Sequence, residues 1–94
     1  MPNSLPGCAA IHGQAWLNIP NTAGSGAGSA VTTVVSLPAL SLPATNQFMV
    51  LCESQQASVV CNVVSKSHAG FSVVATPPAG TTIAANSINA LVVW

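Results

Sequence analysis

The chain has 94 residues, half of them hydrophobic, with one Lys, no Arg and a single acidic side chain. A folded body of this mass exposes about 5,000 Å² against about 13,500 Å² for the unfolded chain, so one small domain buries only about 60% of its surface and a second domain is excluded. Charged residues make up 2% of the chain where about 25% is usual, too few for the mixed charged surface that keeps monomers apart. Only Lys66, Glu53, His12 and His68 can carry charge, so there is no basic stripe for phosphate contacts and no nucleic acid is expected as a partner.

The longest apolar stretches run four or five residues between Pro, Ser, Asn or Gln, far short of a spanning helix, and no membrane is expected. The opening MPNSLPGCAAIHGQ has neither the basic n-region nor the apolar h-region of a Sec signal peptide. Leu, Ile, Val and Phe number 25 of 94, above the level of roughly 20% below which chains stay disordered. Ser, Thr, Asn and Gln number 29 and supply polarity that is far cheaper to desolvate than charge.

In chain order, Pro2, Pro6, Gly7 and Pro20 lead to the run TAGSGAGSA at 22–30, so 1–30 is expected to be an extended arm and a flexible Gly/Ser-rich linker. Within it AWLNI at 15–19 alternates weakly, enough for one strand, and its Trp16 needs an apolar home. From Val31 onward, short β-branched runs alternate with turns: VTTVVSL (31–37), QFMVLC (47–52), SVVCNVVS (58–65), GFSVVAT (70–76) and INALVVW (88–94). No segment repeats apolar residues at helical spacing, so all five are predicted strands. Their spacing predicts an all-β domain over 31–94, a small antiparallel β-sandwich or jelly-roll-like fold. Pro38 and Pro43 make LPALSLPATN an extended connection or an edge, and Pro77, Pro78 and Gly80 form a turn. TTIAANS at 81–87 reads as a short strand followed by a turn.

Catalytic chemistry finds little to work with. Glu53 is the only acid, which excludes a carboxylate pair within one chain and leaves no acid to orient a Ser-His-Asp triad. A thiol nucleophile built from Cys52 or Cys61 with His68 has no helix N-terminus to lower its pKa. The same cysteines with His68 and His12 lack any paired metal-ligand spacing. No enzyme activity, cofactor or metal is expected. Cys52 and Cys61 flank the turn ESQQAS and are expected on adjacent antiparallel strands, either as two small buried hydrophobes or as a disulfide. The odd Cys8 fits a protein made in a reducing cytoplasm. Lys66 and His68, in the turn SKSHAG, either stay wet or contact a neighbouring subunit. Phe48 and Phe71 read as core aromatics. Trp94 reads as a core aromatic or, like Trp16, as an intersubunit contact.

ATNQFMVLC, VVCNVVSKSHAGFSVVA and NSINALVVW, from about Ala44 to Trp94, together resemble a β-sandwich module of tailed-bacteriophage virion proteins. The elements that carry the resemblance are the glycine and aromatic of the G-F-x-V strand and the apolar closing strand, here Gly70, Phe71, Val73, Val92, Val93 and Trp94. The Cys pair and the long ATPPAG turn depart from that pattern. The resemblance implies a virion structural protein, usually a trimer. A chain of this length favours a capsid decoration (cement) protein, made in the host cytoplasm and clamping subunits of the major capsid protein on the capsid surface. The alternative is a tail-fibre or head-fibre module that binds a receptor or carbohydrate.

Overall fold

Runs of β-branched residues put every second side chain on one face, and six such runs pair here into two sheets. The structure, a computed structural model, describes residues 13–40, 42 and 48–94. The strands are β1 (Gln14–Ile19), β2 (Val31–Ser36), β3 (Met49–Ser54), β4 (Val60–Ser67), β5 (Gly70–Thr76) and β6 (Ile88–Val93). Sheet A has the order β1-β6-β3 and sheet B the order β2-β5-β4, with every pairing antiparallel. The chain is the small all-β antiparallel sandwich that its strand rhythm predicts.

The register builds the core row by row. On the inner face of sheet A, Leu17, Ala90 and Cys52 form one row, and Ala15, Val92 and Val50 another. On that of sheet B, Thr33, Val73 and Val63 align, as do Val31, Ala75 and Cys61. Ile19, Val73, Ala75, Ile88 and Val92 are essentially sealed from solvent, with Phe71 beside them. Fully burying each of these Val, Ile and Phe side chains is worth roughly 1.5–3 kcal/mol of transfer free energy.

Three expectations change at the end of the sandwich where β1, β3 and β5 finish. The segment 13–30 is not an arm and linker but part of the folded body, so the boundary at residue 31 falls too late. β1 pairs along its whole length with β6. The Gly/Ser run then crosses from sheet A to sheet B, tied by Gly24 N–H to the Ile83 carbonyl and Gly28 N–H to that of Thr81, both at 2.8 Å. Residues 81–87 are no strand either. They run back from β5 to β6 as the second crossover, with Ile83 buried as a plug. Composition suggested flexibility, but backbone bonds between two distant segments fix both.

Asn21 fastens this cap. Fully buried, it donates from Nδ2 to the carbonyls of Thr22 (3.1 Å) and Ala84 (2.9 Å), and its Oδ1 accepts from Ser87 N–H at 3.1 Å. A buried amide with its partners supplied stabilises, and one left bare would cost about 1–3 kcal/mol per group.

The third change is that β3 and β4 are not a hairpin. The turn at 55–59 carries the chain from the edge of sheet A to the edge of sheet B. Gln56 draws it to the cap, donating to the Thr82 carbonyl (3.1 Å) and accepting from Ala84 N–H (2.8 Å), while Gln55 N–H reaches the Ser87 carbonyl at 2.7 Å. These bonds outbid direct pairing of β3 with β4. Among the described residues, the one hairpin between consecutive strands is β4–β5, closed at His68 and Ala69, with a bulge between Val64 and Ser67. Of the proline-containing stretch, Pro38–Leu40 is a 3-10 turn, and Pro43 lies outside the described residues, as do residues 1–12 with His12 and Cys8.

Gly70 opens β5 with φ of +148°, and a Cβ there would run into the Val35 carbonyl of the paired strand. Gly80 has φ of +85° but faces open space. Gly70→Ala should therefore cost about 3 kcal/mol or more from strain and backbone clash together, and Gly80→Ala only about 1–2 kcal/mol. Urea unfolding midpoints of the two variants check the ranking.

Candidate functional site

Because side chains alternate, the residues between the core positions of sheet A form its outer face. The register sets them in three rows: Gln14–Val93–Met49, Trp16–Leu91–Leu51 and Asn18–Asn89–Glu53. Two of those rows are mainly apolar and open to solvent. Trp16 is 66% exposed, Met49 58% and Leu51 54%, where an ordinary half-buried sheet would place polar groups. The third row is a polar fringe in which Asn18 donates to Asn89 Oδ1 at 3.0 Å and Gln55 approaches the same oxygen at 3.5 Å. Between the rows lies a shallow open depression of about 180 Å³, lined by Trp16, Leu51, Glu53, Asn89 and Leu91. Glu53 is the sole charge on the face, and it sits at the rim.

Trp16 was expected to need an apolar home, and among the described residues it finds none. Its companions Leu51, Leu91, Met49 and Val93 were missed by sequence reasoning. The period-two signal was present in MVLCES, but only the register shows that 49, 51 and 53 point away from the core. The outer face of sheet B carries only valines as its apolar groups, Val34, Val60 and Val64 exposed and Val74 partly buried, among Thr32, Asn62, Ser72 and Thr76.

The other expected contact residues, Lys66, His68 and Trp94, lie at the opposite end from the cap. Lys66 Nζ donates to the Phe48 carbonyl at 2.7 Å and stands 4.7 Å from the centroid of the Phe48 ring. A cation so placed is held by both a charged hydrogen bond and the ring's negative face. His68 is exposed, with Nδ1 3.1 Å from the Leu42 carbonyl. Trp94 extends the β1–β6 ladder by two bonds with Gly13, N–H to carbonyl in each direction at 2.8 and 3.0 Å. Its indole lies where a side chain at residue 13 would have to be, and it packs on the core. Phe48 and Phe71 are core residues, as expected.

Cys52 and Cys61 stand on the edge strands of the two different sheets, β3 and β4, pointing inward where those edges meet. Both are free and half-buried. They are close enough that each changes the other's ionisation. Burial pushes the Cys52 thiol up to about 11, reinforced by the negative charge that Cys61 acquires and by their hydrogen bond. Burial also raises Cys61, opposed by the bond from Cys52 and aided by Glu53.

Among the described residues, no three His, Cys, Asp or Glu side chains come together as a metal site, and no helix is long and apolar enough to cross a membrane. Comparison with protein-family models, with curated proteins and with solved structures gives no match.

The raised thiols set an alkaline limit on stability. Unfolded cysteine ionises near 9.0, whereas folded Cys52 holds its proton to about 11, so folding is favoured fully below pH 9 and this contribution is lost as pH rises through 11. Urea midpoints should fall between pH 9 and 11 in the native sequence and fall less in a Cys52→Ala, Cys61→Ala variant. Equal slopes would refute the coupling.

Proposed function

We propose that this chain is a passive structural subunit that assembles through the outer face of sheet A, in keeping with its resemblance to virion β-sandwich proteins, as a capsid decoration (cement) protein. The observation that carries the reading is the exposed row Trp16–Leu91–Leu51 beside Met49 and Val93, in a surface with almost no charge. The occupant of this face is a second copy of the same chain. A face without charge except at its rim meets its own copies without like-charge repulsion, and apolar area is what such a contact removes from water.

Three copies is the number that the resemblance implies. Three Trp16 rows then share one apolar interior, and closed rotational symmetry ends the association. Glu53 stays at the wet end. The trimer would sit on the major capsid protein, using the outer faces of sheet B, and its contribution is binding energy rather than chemistry.

A second reading has one observation in its favour: an exposed Trp beside Asn18, Asn89 and Glu53 is the kind of platform on which a sugar ring stacks. The depression is smaller than the roughly 300 Å³ at which small-molecule sites begin, and Asn89 Oδ1 is already shared by Asn18 and Gln55. Docking of a protein surface accounts better for the long aliphatic side.

Light scattering at micromolar concentration should give a trimer for the native chain, a folded monomer for Leu51→Lys, and a trimer for the sheet B control Val34→Lys. A native monomer, or a trimer that survives Leu51→Lys, would sink the assembly reading. Saturable binding to capsids stripped of their decoration, beside a blank glycan array, separates the cement role from the fibre alternative.

A further inference from the structure

The two thiols at the junction of β3 and β4 belong neither to the outer face nor to the cap, and nothing in the assembly reading uses them. Their placement is specific. Each occupies an inward position on an edge strand, Cys52 opposite Ala90 and Cys61 opposite Ala75. Alanine is the smallest neighbour with a Cβ, so neither thiol is crowded by its cross-strand partner. β3 and β4 share no ladder bonds, and the connection through 55–59 is the only covalent tie between these two edges close by. We infer that Cys52 and Cys61 form a reversible disulfide that staples sheet A to sheet B when the protein meets an oxidising thiol-disulfide medium.

The chemistry balances with a low-molecular-weight disulfide such as oxidised glutathione. Either thiol can start; where Cys61 does, it loses its proton, and its thiolate attacks one sulfur of the glutathione disulfide. That S–S bond breaks, a protein–glutathione bond forms, and one glutathione thiolate leaves and takes a proton. Cys52 then loses its proton and attacks Cys61 Sγ, expelling the second glutathione. Two protein thiols are oxidised to one disulfide, and one glutathione disulfide is reduced to two thiols. Half-burial at the open seam between two edge strands gives a small reagent a way in. In a reducing cytoplasm the pair stays as thiols, and the staple closes only on release from it.

Closure shortens a short loop in the unfolded chain, and cross-linking so few residues shifts the folding equilibrium on the order of a hundredfold in the chain-entropy account. By linkage, the folded protein must favour the disulfide over the unfolded one by the same factor.

The test is a redox titration of a Cys8→Ser variant in reduced and oxidised glutathione, native and in urea, quenched with acid and read by peptide mass. The native protein should lose two hydrogens, yield a cross-linked Cys52–Cys61 peptide, and close at a glutathione ratio on the order of a hundredfold more reducing than the unfolded chain does. Cys61→Ser in the same background should stop at one glutathione adduct on Cys52. Leu51→Lys should close the bond as the parent does, because the staple lies within one chain. A native midpoint at or above the unfolded one, or separate glutathione adducts on both cysteines without closure, would overturn the inference.

Discussion

Two central strands hold this molecule together by pressing their inner faces toward each other. Ile88, Ala90 and Val92 of β6 and Phe71, Val73 and Ala75 of β5 are all at or below 2% exposure. Every other strand is an edge strand held by one of these two. In so small a body there is no second layer to fall back on, and the core must be complete where β5 and β6 meet. The cap built from 20–30 and 77–87 closes one end of that contact, and Phe48, Leu42 and Trp94 pack toward the other. Four edge strands and two outer faces almost without charge are the direct consequence.

Natural sheet proteins usually defend such edges with charge, proline or bulges. This chain has the bulge in β4 and almost nothing else. Its single Lys is folded back onto Phe48 and its single acid stands at the rim of sheet A. Sparse charge therefore acts at two levels. Inside the fold it leaves the few ionic groups to local tasks, and outside it leaves apolar side chains in water, which the proposed assembly would cover. An assembled state answers both without any catalytic group.

The strands from Val31 onward could be read from the sequence because valine-rich runs between turn residues have few other ways to fold. The ranges 70–76 and 88–94 match β5 and β6 almost residue for residue, since both are buried on the inner face and continuous in hydrophobicity. β1 was faint because AWLNI has apolar groups on both faces, which blurs the alternation, and the outward one is Trp16 itself. The cap was invisible because Asn21 and Gln56 act through backbone groups more than twenty residues away, and a Gly/Ser run has the same composition whether it is tied down or free. The switch of sheets between β3 and β4 was missed for the same reason: a five-residue gap between two strands suits a hairpin unless distant partners claim the turn. Of the candidate site, Trp16 could be picked out by its size. Its aliphatic neighbours needed the register, which only the paired strands supply.

The central claim is that Trp16 is exposed in the lone subunit and covered in the functioning one. A Trp94→Phe variant leaves Trp16 as the sole indole, so its fluorescence reports on that one position. On the account given, emission is blue-shifted and shielded from iodide while the protein is assembled, and it moves to the red and becomes quenchable as dilution separates the copies. Red, freely quenched emission from a protein that is nonetheless oligomeric would contradict it, because the copies would then be meeting through some other surface.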